Sequence, residues 1–270
     1  MIQIPRFLKG AKRAIAATLL SGMLFFILPV SSWAANTKIP IGASEFPPFY
    51  YLEGDQLVGA AVEISDAVFT RMGYQPQFFF YPSKRLQKLT KYGDLAAAML
   101  FTHSEERARH FLYTKPIARI SDVFYKRQDS EISWQALEDL KPYVVGVSAY
   151  NYAPVFLKAM KDELFKVDLI TSKTPEIQHL KKLAAGRVDL VICEINVCNH
   201  IIRKRAPQLD TLDHIDRPIG PIRDFMLVIS KKWPNAIQLQ ERFNAELAEL
   251  VADGGYRKTL DKYGIIGSWE

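Results

Sequence analysis

Twice along this chain, short apolar runs alternate with helix-patterned runs, and that double alternation limits the fold more than any other feature. The first series opens with a strand over Lys38-Ile39-Pro40-Ile41-Gly42-Ala43, then a helix with Val62, Ile64, Val68 and Met72 on one side, then a Phe-dense strand from Gln75 to Tyr81. A helix from about Lys84 to Tyr92, a buried strand from Leu95 to Phe101 and a strand from Asp122 to Lys126 complete it. The polar run Gln128 to Lys141 ends at Pro142. The second series has strands at Tyr143 to Ser148, at Val167 to Thr171 and at the run ending in Glu194. Its helices run from about Ala153 to Met160 and from Pro175, where Thr174 stands as cap and Pro175 takes the first helical position. After Pro218, Gly220 and Pro221 comes a strand from Phe225 to Ser230 and an amphipathic helix over Asn235 to Val251. Strand and helix in turn predict α/β lobes, each a sheet flanked by helices.

The first 34 residues stand apart from this pattern. Arg6, Lys9, Lys12 and Arg13 precede a nearly unbroken apolar stretch from Ala14 to Val30, and Ser32-Trp33-Ala34 has the small-x-small form of a cleavage site. A cleavable signal peptide is expected, with a membrane anchor as the rival reading. No cysteine lies near the site, so a lipoprotein is not expected. The chain carries 35 Lys+Arg against 29 Asp+Glu, and much of that excess sits in the leader; the remainder is close to neutral and gives nucleic-acid binding no support. Cys193 and Cys198 are read as two buried thiols, although an oxidising compartment permits a bridge. Two cysteines at this spacing without clustered histidines argue against zinc.

The chemistry concentrates where the apolar run Leu95 to Phe101 gives way to Thr102-His103-Ser104-Glu105-Glu106-Arg107. Arg offers a planar fork of donors suited to a carboxylate, and Thr102 and Ser104 add hydroxyls from the same turn. Ser104 before two acids also reads as a helix N-cap. The plainer alternative is that Arg107 merely pairs with Glu105, Glu106 or another surface acid. Upstream, Phe46 and Phe49 flank Pro47-Pro48, a stiff loop at a strand end; Phe49 is read as core. Downstream, Glu194 ends an apolar strand, where a carboxylate is costly unless paired, so it calls for a ligand amine or a protein cation.

These stretches resemble the bacterial extracellular solute-binding proteins of family 3, of the polar amino acid transport type with the type II periplasmic binding fold. That family shows a Thr-x-Thr-Pro-Glu-Arg turn with a Pro nine residues after the Arg; here Arg107 and Pro116 keep the spacing, with Glu105 and Ile117 replacing the usual Pro and Tyr. Gly186-Arg187-Val188-Asp189 followed by Glu194 is similar to its Gly-x-x-Asp segment, with Glu for the commoner Asp. Asp253-Gly254-Gly255-Tyr256 and Lys262-Tyr263-Gly264 resemble its closing signature. The Gly-Thr turn expected after Val145-Gly146-Val147 is replaced by Ser148-Ala149-Tyr150-Asn151, and Leu100 stands where a small residue is usual.

The resemblance implies two lobes joined by a two-strand hinge: residues 35–125 with 224–270, and residues 126–223. It further implies a periplasmic monomer that closes on a small zwitterion, most simply an amino acid, and delivers it to an ABC permease. Arg107 would take the carboxylate, Thr102 and Ser104 would assist, Phe46 would cover the solute, Glu194 would hold the amine, and Asn151 would offer its amide. No cofactor, metal or catalytic residue is implied, and the five scattered histidines form no catalytic motif, although His103 lies within the turn. Two other roles fit the same fold: a sensory module for a membrane receptor, and an enzyme like the cyclohexadienyl dehydratases, with Glu194 or Glu45 as the acid.

Overall fold

The computed structural model describes residues 37–149, 152–172 and 174–266; the expected leader and Asn151 lie outside the described residues. In chain order the first half contains β1 (Thr37–Ala43), β2 (Tyr51–Glu53), β3 (Gln56–Val58), α1 (Ala60–Arg71), β4 (Tyr74–Phe80), α2 (Ser83–Tyr92), β5 (Ala97–Phe101), α3 (Glu105–Ala108), β6 (Phe111–Ile120) and β7 (Asp122–Arg127). The second half contains β8 (Val144–Ser148), α4 (Pro154–Lys161), β9 (Lys166–Ile170), α5 (Pro175–Ala184), β10 (Leu190–Glu194), α6 (Ile195–His200), β11 (Leu212–His214), β12 (Arg223–Ser230), α7 (Ala236–Ala252) and α8 (Gly255–Tyr263). No described helix is long and apolar enough to cross a membrane.

Two five-stranded sheets result, ordered β4-β1-β5-β12-β6 and β11-β7-β10-β8-β9, with β2 and β3 as a separate hairpin. In the first sheet β1 is parallel to β4 and β5, and β12 runs antiparallel between β5 and β6. Every residue of β5 is buried, as expected of a strand covered on both faces. One face packs against α1, α7 and α8 through Ile41, Phe69, Met99, Phe243 and Leu260; the other packs against α2 through Leu86, Leu95 and Val228. A Cβ on Gly42 would lie 2.3 Å from Leu86 Cδ1, so glycine in β1 is what lets α2 sit this close. Of the three prolines within described strands, Pro76 of β4 and Pro116 of β6 fall on edge strands, where a missing N–H is tolerated, and Pro40 lies in the interior strand β1 just before Ile41, the first β1 residue in register with β5.

The second sheet is built the same way. Leu180 and Leu183 of α5 pack one face against Val191 and Tyr125, while Phe156 of α4 packs the other against Phe124, Val145 and Ile192. A glycine again sets the approach of a helix: a Cβ on Gly146 would be 2.7 Å from His179 Nδ1, and His179 Nε2 lies 2.9 Å from the Val147 carbonyl.

The chain passes between the sheets twice. Ser121 alone separates β6 of the first sheet from β7 of the second, so residues 122–125, expected with the first lobe, pair within the second sheet. The return runs from β11 to β12 through residues 215–222.

The reading of Cys193 and Cys198 as thiols is overturned. They form a disulfide with a Cα–Cα separation of 6.2 Å. The reason is local: β10 ends at Glu194 and α6 begins at once, so the first helical turn carries Cys198 back over the strand end.

Candidate functional site

Registers place the ends of β5 and β10 beside the crossovers. Phe101, last in β5, pairs with Met226, close to where β12 begins, and Glu194, last in β10, pairs with Asp122, first in β7. The C-terminal ends of β5 and β10 therefore both point to the crossovers, and in open α/β sheets such ends are where ligands collect.

On the first sheet, Ser104 caps α3 as its residue type predicts: its Oγ accepts from the Arg107 backbone N–H at 3.3 Å. The Arg107 guanidinium donates to the Thr102 carbonyl at 3.1 Å and lies 5.3 Å over the Phe101 ring. Tyr113 secures the same turn, because its hydroxyl accepts from the Ser104 backbone N–H at 3.2 Å and from the Arg107 side chain. Arg107 is half-buried and makes no ion pair among the described residues; Glu105 and Glu106 do not engage it. His103 is exposed, with its ring 5.1 Å from that of Tyr113.

Phe46 is half-buried and packs against residues of both sheets, with its ring 5.3 Å from Phe225 and 5.8 Å from Phe49. Phe49 is core, as its reading anticipates. Glu45, beside Phe46, pairs with Arg205 at 2.9 Å and accepts from the Leu52 N–H at 3.3 Å.

The second sheet brings Glu194 to the crossover, where neutral donors rather than a protein cation hold it. Its carboxyl is buried, accepts from the Val197 N–H at 2.9 Å and from the Asn196 amide at 3.1 Å, and so caps α6. No arginine or lysine forms an ion pair with it among the described residues. Burial pushes its pKa up to about 8 against the opposing pull of those hydrogen bonds, and nearby Asp122 pushes in the same direction. The consequence for stability has a definite sign. Between about pH 4.5 and 8 the unfolded chain has released a proton that folded Glu194 keeps, so raising pH through this window costs stability. Urea midpoints measured from pH 5 to 8 should fall, and Glu194→Gln should remove that component of the slope; an identical slope in the variant would refute the assignment.

Three partners in this region escape a reading of the sequence. Asp122 bonds Arg223 at 2.6 Å and accepts from the Ala153 N–H at 3.3 Å, tying the first crossover to the second and to the start of α4. Burial still raises the Asp122 pKa, with Arg223 only partly offsetting it. Asn196 joins Glu194 to the segment after α8: it donates to the Ile266 carbonyl at 3.3 Å and accepts from the Ile266 N–H at 2.8 Å. An acid opening the apolar run Val123-Phe124-Tyr125 was the available signal for Asp122, by the rule that flagged Glu194. Asn196 and Tyr113 carry no comparable signal. Thr102, Ser104 and Arg107 thus share the turn after β5, Glu194 ends β10, and Phe46 packs against residues of both sheets.

Comparison with known proteins follows the same lines. The sequence model of the bacterial extracellular solute-binding proteins, family 3, matches residues 39–265. The arginine-binding extracellular protein ArtP of Bacillus subtilis is 25% identical over 236 residues, 86% of this chain and 88% of that protein. The L-arginine-binding protein of Pseudomonas aeruginosa is 24% identical over 264 residues, covering 91% and 95% respectively. Among solved structures, a histidine kinase sensor domain with similarity to periplasmic binding proteins superposes with a TM-score of 0.72 at 24% identity, over 87% of this chain and 99% of that one, a likeness of fold.

Proposed function

The chain belongs to the bacterial extracellular solute-binding proteins, family 3, and from that premise we propose that it captures an amino acid between two lobes in the periplasm and presents it to an ABC permease. The observation that carries this reading is Arg107: a guanidinium fixed at the end of β5 by Thr102 and Tyr113, with no carboxylate partner among the described residues. A small carboxylate supplies what that fork lacks. The naming of its relatives as arginine-binding supports an amino acid as the solute class. Lobe 1 is the first sheet with its helices and lobe 2 the second, hinged at Ser121 and residues 215–222. Arg107, Thr102, Ser104 and Phe46 act from lobe 1. Glu194 acts from lobe 2 by ordering the start of α6, and Asn151, outside the described residues, is expected to offer its amide. Residues drawn from both lobes give the solute a higher affinity for the closed state, which is how binding drives closure.

The test is thermal shift of the purified protein against the twenty amino acids. Ligand at a hundred times its dissociation constant stabilises the native state by about 2.7 kcal/mol, so a binder is readily seen. A shift by one or a few amino acids supports the reading; no shift from folded protein refutes it.

A further inference from the structure

Three acids at the strand ends and crossovers, Glu45, Asp122 and Glu194, are already engaged within the fold. Glu45 is paired with Arg205 at 2.9 Å, and the Arg205 guanidinium also lies 5.3 Å over Tyr51, which holds the pair from two sides. Asp122 is paired with Arg223 at 2.6 Å. Glu194 turns into the N-terminus of α6, locked beside the Cys193–Cys198 bridge, and burial favours its neutral form. Against these stands Arg107, a cation without an ion-pair partner among the described residues.

Resting on the binding reading above, we infer that this cleft takes amino acids with neutral or acidic side chains and excludes those with cationic ones, arginine and lysine included. A zwitterion brings one carboxylate for Arg107 and one ammonium, which neutral oxygens can solvate at modest cost because the two ligand charges offset each other. Arginine brings a second cation. With Glu45, Asp122 and Glu194 committed, that charge finds no counter-ion among these three and lies on the same side as Arg107, and a desolvated charge without a partner is strongly disfavoured. The inference separates this chain from relatives named for arginine while leaving the carboxylate grip common to amino acids intact.

Pairs of ligands that differ in charge but little in shape test it. Citrulline replaces the guanidinium of arginine by a neutral ureido group of nearly the same size, and glutamine is a neutral partner for lysine in length. Isothermal titration of the purified protein should show citrulline binding at least about tenfold more tightly than arginine, or glutamine more tightly than lysine by a similar factor, since an unmatched charge costs at least that much. A neutral or acidic amino acid bound while arginine and lysine are silent gives the same support. Arginine or lysine binding as tightly as its uncharged counterpart overturns the inference and leaves the amino-acid reading standing. Silence from every amino acid overturns that reading, and this inference with it.

Discussion

Arg107→Ala should abolish solute binding while leaving the melting temperature in buffer nearly unchanged. The two halves of this expectation have different origins. The guanidinium is half-buried, and its fixed bonds are to the Thr102 carbonyl and the Tyr113 hydroxyl. Removing it leaves two acceptors at a partly hydrated turn, and α3 keeps its Ser104 cap because that bond uses the Arg107 backbone N–H. The loss of stability is therefore within about 1 kcal/mol. Binding loses a bidentate charge-assisted pair, about 1.5–3 kcal/mol for each hydrogen bond, which together weaken the complex by a factor of about a hundred or more. Titration calorimetry against the amino acid found by thermal shift reads the affinity, and a melt of ligand-free protein reads the stability. Arg107→Lys should recover little, since a point charge does not reproduce the fork. An alanine variant that binds as tightly as the wild type would remove Arg107 from the site.

Asp122→Ala should be the most destabilising of the polar substitutions considered. The ion pair with Arg223 is almost fully withdrawn from water, with side-chain exposures of 4% for Asp122 and 14% for Arg223. Removing the acid takes an ion-pair partner from the Arg223 guanidinium and deprives the Ala153 N–H of its acceptor. Breaking a buried pair in this way costs about 3–5 kcal/mol. Urea denaturation followed by far-ultraviolet circular dichroism measures it. A double variant, Asp122→Leu with Arg223→Met, should recover most of the loss, because apolar groups of similar volume leave no charge unpaired. A single variant that loses less than about 1 kcal/mol would show that water screens the pair. Asp122 opens β7 and Arg223 opens β12, each directly after a crossover, so the pair ties together the two segments proposed as the hinge.

How far the sequence revealed these features differs from element to element. The buried strand before Arg107, the cap at Ser104 and the core role of Phe49 follow from patterning over a few residues, and each is found in place. β6 is different. Lys115 and Pro116 interrupt its alternation, and it forms as an edge strand because β12, more than a hundred residues later, supplies its partner. Glu194 was legible as an acid that needed a partner, and within the fold it finds the Val197 N–H and the Asn196 amide rather than a protein cation. The turn from β10 into α6 brings the helix N-terminus within reach, and the same turn closes the disulfide.

By itself the sequence determined the alternation of elements, hence two α/β sheets, and the local chemistry of the Thr102 to Arg107 turn, because these depend on side-chain period and on bonds spanning a few residues. Tertiary structure alone decided which charges remain available. Glu45 finds Arg205 and Asp122 finds Arg223 across separations of 160 and 101 residues. Pairing at such distances depends on how the sheets bring the chain together, and the free energy of a charge depends on its burial and its neighbours, neither of which is written in local pattern.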